Sequence, residues 1–127
     1  MRRTIVLLAT MALTLLVASG VGLAVIKVGG PGPDTLMGTK GSDTLAGRAS
    51  SDWIDGRAGK DVINGGPGDD PLSSAIGNLD GGSFVDILYG GDGNDFISSS
   101  YNRPAVRDIL SCGAGSDFAS VDRKDIV

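Results

Sequence analysis

Large aliphatic side chains recur every nine residues along most of this chain. Leu36, Leu45, Ile54, Ile63 and Leu72 hold that spacing without a break, and after interruptions Leu88, Ile97 and Leu110 stand at the same place in the pattern. One such residue in nine cannot form the 3.6-residue stripe of an amphipathic helix, and the glycines between them oppose helix further. A short strand around each aliphatic, followed by a Gly-rich turn, fits instead. Two nine-residue units then close one coil of a solenoid, with the aliphatics of both strands stacked into a thin core. The expected fold is all-β: a parallel β-roll or β-solenoid of Gly/Asp-rich repeats over 29–120.

The polar positions keep the same count. With the opening Gly as position one, the units are 29–37, 38–46, 47–55, 56–64 and 65–73, then 81–89 and 90–98, then the degenerate 103–111 and 112–120, with inserts at 74–80 and 99–102. Asp holds position six in all of them: Asp34, Asp43, Asp52, Asp61, Asp70, Asp86, Asp95, Asp108 and Asp117. Position four is Gly32, Gly41, Gly59, Gly68 and Gly93, with Ser50 and Phe84 as departures. Thr39, Arg48 and Arg57 occupy position two, which side chains tolerate if the turn needs no positive φ there. Pro71 lacks a strand N–H and suits a strand end or edge beside the first insert.

The ends read differently. Met1-Arg2-Arg3 followed by the apolar run Thr4 to Val17 and small residues up to Ala24 has the form of a signal peptide over 1–24, expected as a leader helix. An uncleaved anchor is the alternative, because apolar or small residues continue to Ile26, far enough to span a bilayer. Either form exports the rest of the chain, to a secreted or extracellular location or to the cell surface. The tail 121–127 mixes charges and reads as a solvated cap.

Composition sharpens the chemistry. The formal net charge is −4, and all 15 acidic residues are Asp. An acidic chain without basic clusters argues against nucleic acid and against anionic membrane surfaces, so no membrane insertion is expected beyond an N-terminal anchor. The absence of His removes most general-base chemistry and, with Cys112 the only cysteine, excludes a Cys/His zinc site. Cys112 reads as a free, partly buried thiol, with pairing between chains as the sharper alternative. Trp53, at the outward position seven, reads as a cover for its turn or as a binding aromatic. The pairs Asp69/Asp70 and Asp92/Asp95 could pose as glycosidase carboxylates, but repeat ligands account for them better.

Units 18 residues apart lie over one another at the roughly 4.8 Å spacing of paired strands. That puts Asp34, Asp52 and Asp70 in one column and Asp43 and Asp61 in the opposite one. Carboxylates about 5 Å apart repel by roughly 3 kcal/mol at an effective dielectric near 20. A divalent cation between successive turns converts that repulsion into a ligand cage. Calcium suits it, since it accepts six to eight oxygens in flexible geometry, including the carbonyls of tight Gly turns.

GGPGPDTLM, GGPGDDPLS and GGDGNDFIS resemble the haemolysin-type calcium-binding repeat, the RTX nonapeptide G-G-x-G-x-D-x-U-x. The resemblance implies a parallel β-roll in which the first six residues of each unit form the calcium turn. It implies Asp34, Asp43, Asp52, Asp61, Asp70, Asp86 and Asp95 as side-chain ligands, the turns at Gly32, Gly41, Gly59, Gly68 and Gly93 as carbonyl donors, and Asp117 as a weaker ligand. Asp108 lies in a doubtful turn. About three to five Ca2+ ions are expected. The function expected is an exported, non-enzymatic calcium-binding module of structural, adhesive or surface-interaction type, its protein or surface partner unspecified. The alternative is a fragment or accessory domain of a calcium-dependent secreted hydrolase.

Overall fold

Strands form where the aliphatics stand. The computed structural model describes residues 22–74, 84–99 and 106–127; the leader helix and the signal or anchor segment up to residue 21 lie outside them, as do most of both inserts. The strands are β1 (Ile26–Val28), β2 (Thr35–Met37), β3 (Thr44–Ala46), β4 (Trp53–Asp55), β5 (Val62–Pro67), β6 (Pro71–Ser73), β7 (Ile87–Asp92), β8 (Phe96–Ser98), β9 (Ile109–Ala114) and β10 (Phe118–Ser120). No helix occurs among the described residues, and none there is long and apolar enough to cross a membrane.

Successive strands alternate between two parallel sheets, β1-β3-β5-β7-β9 and β2-β4-β6-β8-β10. This is the β-roll, two repeats to a coil. Partners are 18 residues apart where the count is unbroken, as in Leu45↔Ile63 and Leu36↔Ile54. The offset becomes 25 across the first insert (Leu72↔Ile97) and 22 across the second (Leu88↔Leu110). Side chains alternate across each strand, so position eight faces in and position seven largely out, while position nine is buried at Asp55, Ser73 and Ser98. Leu36, Leu45, Ile54, Ile63, Leu72, Leu88, Ile97 and Leu110 form one buried core, drawn from both sheets, with Cys112 and Ala119 packed partly against it.

The roll starts earlier and ends later than the repeats suggest. β1 precedes the first repeat and pairs with β3. At the other end Ile126 bridges to Ile109 in parallel, its N–H donating to Asp108 O and its carbonyl accepting from Leu110 N. The tail therefore closes the last coil as a truncated tenth repeat, while most of 121–127 stays exposed. Pro71 sits at the start of β6, a central strand between β4 and β8, and the β4–β6 ladder begins one residue later, at Ile54↔Leu72. The strand-end reading holds and the edge reading does not.

A core one residue deep leaves no slack. Ile63 is fully buried between Leu45 and Leu88. Ile63→Ala should destabilise the calcium-loaded roll by about 2–5 kcal/mol, measured by urea unfolding. A loss under about 1 kcal/mol would mean that the stacked aliphatics are not the core.

Candidate metal centre

The turns between strands gather at two edges of the roll. Repeats one, three, five, seven and nine turn at one edge, through 29–34, 47–52, 65–70, 90–95 and 112–117. The even repeats turn at the other, through 38–43, 56–61, the described part of 81–86, the described part of 103–108, and the tail to 125. Each edge carries one Asp column, held by a ladder of one repeating bond. Asp34, Asp52, Asp70 and Asp95 each donate their N–H to Oδ1 of the Asp one coil on, at 2.7–2.9 Å, ending at Asp117. Opposite, the N–H groups of Val25, Asp43, Asp61, Asp86 and Asp108 donate to Oδ1 of Asp43, Asp61, Asp86, Asp108 and Asp125. All nine repeat Asp residues thus join the columns. The structure adds Asp125, and it places Asp108 in the ladder as fully as its neighbours.

The second carboxylate oxygen tells the turns apart. In the first two repeats the N–H at position two, of Gly30 or Thr39, donates to Oδ2 of Asp34 or Asp43. In the third, fourth, fifth, seventh and ninth repeats position two turns left-handed: Arg48 (φ 86°), Arg57 (φ 73°), Gly66 (φ 103°), Gly91 (φ 117°) and Gly113 (φ 98°). Position four follows at Ser50 (φ 78°), Gly59, Gly68, Gly93 and Gly115. This overturns the expectation that Arg48 and Arg57 mark turns without positive φ; only Thr39 behaves so. The Arg48 N–H now donates to Gly65 O, and the Arg57 N–H to Oδ1 of the buried Asp55. Asp55 lies outside both columns and its repeat position gave no signal of this role. In consequence Oδ2 of Asp52, Asp70 and Asp95 is buried with no hydrogen-bond partner among the described residues.

Those oxygens lie against the opening glycines. A Cβ on Gly47, Gly65 or Gly90 would run into Oδ2 of Asp52, Asp70 or Asp95 and into the opening-position carbonyl one coil on. Gly59, Gly68 and Gly93 hold left-handed turns, whereas Gly32 meets nothing within 4 Å and has no positive φ, so its turn would accept a side chain. Burial pushes the Asp70 carboxyl up to about 6, and the neighbouring carboxylates of Asp95, Asp52 and Asp69 add to this against the opposing Asp52 N–H bond. Asp95 is raised likewise, first by burial and then by Asp117, Asp69 and Asp92. Burial also pushes up the Cys112 thiol, which is free and half-buried.

An anionic oxygen that is buried, unbonded and beside others of its kind fits a hard cation. No three carboxylates converge on one point among the described residues, so any site here draws most of its oxygens from turn carbonyls. The model of the RTX calcium-binding nonapeptide repeat, in four copies, matches residues 28–63, 38–72 and 73–100, more than half of the chain. The chain belongs to the RTX calcium-binding repeat family. Neither a curated protein nor a solved structure matches it. As an RTX roll it carries the family's Asp in every repeat across the matched residues, with its Gly positions replaced at Thr39, Arg48, Ser50, Arg57 and Phe84, and its columns continue beyond them to Asp117 and Asp125.

Proposed function

We propose that this RTX roll is an exported, non-enzymatic module that folds on calcium and serves as a structural, adhesive or surface-interaction element. The observation that carries the reading is the set of buried, unpartnered Oδ2 atoms at Asp52, Asp70 and Asp95. Leaving such groups uncompensated costs several kcal/mol each in a dry environment. Bound calcium supplies the positive charge that this arrangement lacks. The holding residues would be the Asp columns, with Asp34, Asp43, Asp52, Asp61, Asp70, Asp86 and Asp95 as side-chain donors and the turns around them as carbonyl donors. Export is supported by the basic start and apolar run of residues 1–24, and by the millimolar calcium that weak sites meet outside cells.

Far-UV circular dichroism during a calcium titration tests the reading. A mostly disordered apo spectrum should give way to β signal, with magnesium less effective because it demands stricter octahedral geometry. A spectrum indifferent to calcium would sink it.

A further inference from the structure

The strands that follow the odd-numbered turns carry a second column, on the outside of the roll. Position seven of the sheet β2-β4-β6-β8-β10 is Thr35, Trp53, Pro71, Phe96 and Phe118, one to each strand, and all five are exposed. The core is filled from position eight and leaves these side chains without an inward role. A contiguous exposed row of Trp and Phe marks a contact surface.

The column is uneven in height. Phe96 and Phe118 stack with centroids 5.4 Å apart and planes 9° from parallel, close to the spacing of the strands beneath them. Their rings therefore stand on edge, with faces turned along the column. Pro71 is a missing rung in this ladder. It floors a slot between Trp53 on one side and the Phe96–Phe118 pair on the other. Thr35 floors a second slot, on the far side of Trp53. The two slots are two strand spacings apart, about 9.6 Å at roughly 4.8 Å each. A polyproline II helix repeats every three residues, about 9.3 Å at a rise of roughly 3.1 Å.

Charge selects the flank of such a ligand. The face itself shows no exposed charge, since its one ionisable residue, Asp55, is buried. Beside the column, along the edge where the odd-numbered repeats turn (the odd edge), position five holds Pro33, Ser51, Asp69, Asn94 and Ser116. The one acid of that row stands next to the Pro71 slot. Asp69 is exposed, and its Oδ1 accepts the Asn94 N–H at 2.7 Å. Asp92, also exposed, adds to the negative field there, and both carboxylates raise the Asp95 carboxyl.

We propose that this column is a docking groove for a proline-rich peptide in the polyproline II conformation. Prolines three residues apart seat in the Thr35 and Pro71 slots, Trp53 is the ridge between them, and a basic residue of the peptide faces Asp69. Aromatic-lined grooves take Pro-x-x-Pro segments in this mode, and a ligand already extended loses little entropy on binding. The groove gives the surface-interaction reading above its partner class and rests on that reading.

The probe is a labelled peptide with proline at every third position and two arginines at one end. Fluorescence anisotropy follows its titration with the full chain in calcium, and far-UV circular dichroism verifies the fold of each variant. Wild type should bind it and should ignore the same peptide with alanine for proline. Trp53→Ala should weaken binding about tenfold or more, as loss of a central aromatic anchor does. Asp69→Asn should weaken it roughly threefold and flatten its salt dependence. Pro71→Phe is the deciding variant. It completes the ladder with a strand-forming residue and fills the slot, so binding should vanish, whereas a merely sticky apolar surface would bind as well or better. Retained binding by Pro71→Phe, equal binding of the alanine peptide, or a response to a neutral β-glucan oligosaccharide in place of the peptide overturns the groove. A calcium-folded wild type that ignores the peptide overturns the groove alone. Binding that persists unchanged in chelator contradicts folding on calcium and leaves the groove standing.

Discussion

Gly90→Ala should cost the calcium-loaded roll about 3 kcal/mol or more and shift the calcium titration midpoint upward. The added methyl meets Cys112 O on one side and Asp95 Oδ2 on the other. The first is backbone, fixed by the pairing of β7 with β9, and the second is held through the Asp70 N–H bond to Oδ1. Overpacking typically costs about 1–3 kcal/mol where side chains can give way, and here neither obstacle is a flexible side-chain end. Gly90 has no positive φ, so backbone strain adds nothing and the effect is steric. In an open turn the same change would stabilise by about 0.4–1 kcal/mol through the unfolded chain. Cys112 is the internal control. It occupies the same repeat position in the last odd-edge turn, where no further turn stacks, and its side chain is accommodated half-buried. Urea unfolding of both variants in calcium decides the matter: Gly90→Ala should be far less stable than Cys112→Gly, and equal stabilities would contradict the close-packed stack.

The core and the Asp columns were legible because a strict period maps directly onto strand register. The aliphatic at position eight needs no tertiary information to be placed. A residue nine from its neighbours and 18 from its stacking partner can face only one way, as Ile63 does between Leu45 and Leu88. The turn conformations were not legible. Arg48 and Arg57 carry the left-handed penalty of roughly 1–2 kcal/mol; a tertiary bond to Gly65 O offsets it for Arg48, and a local bond to Oδ1 of the buried Asp55, two residues back, for Arg57. Identical Asp columns therefore concealed two kinds of turn, with and without left-handed residues. The tenth repeat was hidden by a shift of register, since Asp125 follows Asp117 by eight residues and not nine. β1 was hidden because it has no Asp at all; the backbone N–H of Val25 stands in for one by capping Asp43.

Acid should partly replace calcium. Asp70 has a folded-state pKa of about 6, against 3.8 for an ordinary Asp, so the folded roll binds this proton more tightly than the unfolded chain does. Its contribution to stability is then fully present below about pH 3.8 and lost as pH rises through 6. Asp95 is displaced in the same direction and adds to the slope. Without calcium, the roll should gain β signal and melt at higher temperature as pH falls from 7 towards 4. Calcium binding needs the ionised carboxylates, so it should weaken over the same window, and at pH 7 excess calcium should restore the structure that deprotonation removed. Asp70→Asn separates this effect from general acid behaviour. Its Oδ1 can still accept the Asp52 N–H, while the group no longer titrates. Thermal melts in chelator at pH 4, 5, 6 and 7 should show a falling stability for wild type and a shallower fall for Asp70→Asn. An apo stability that rises with pH, or two variants with the same slope, would mean that the buried odd-edge carboxylates do not govern folding.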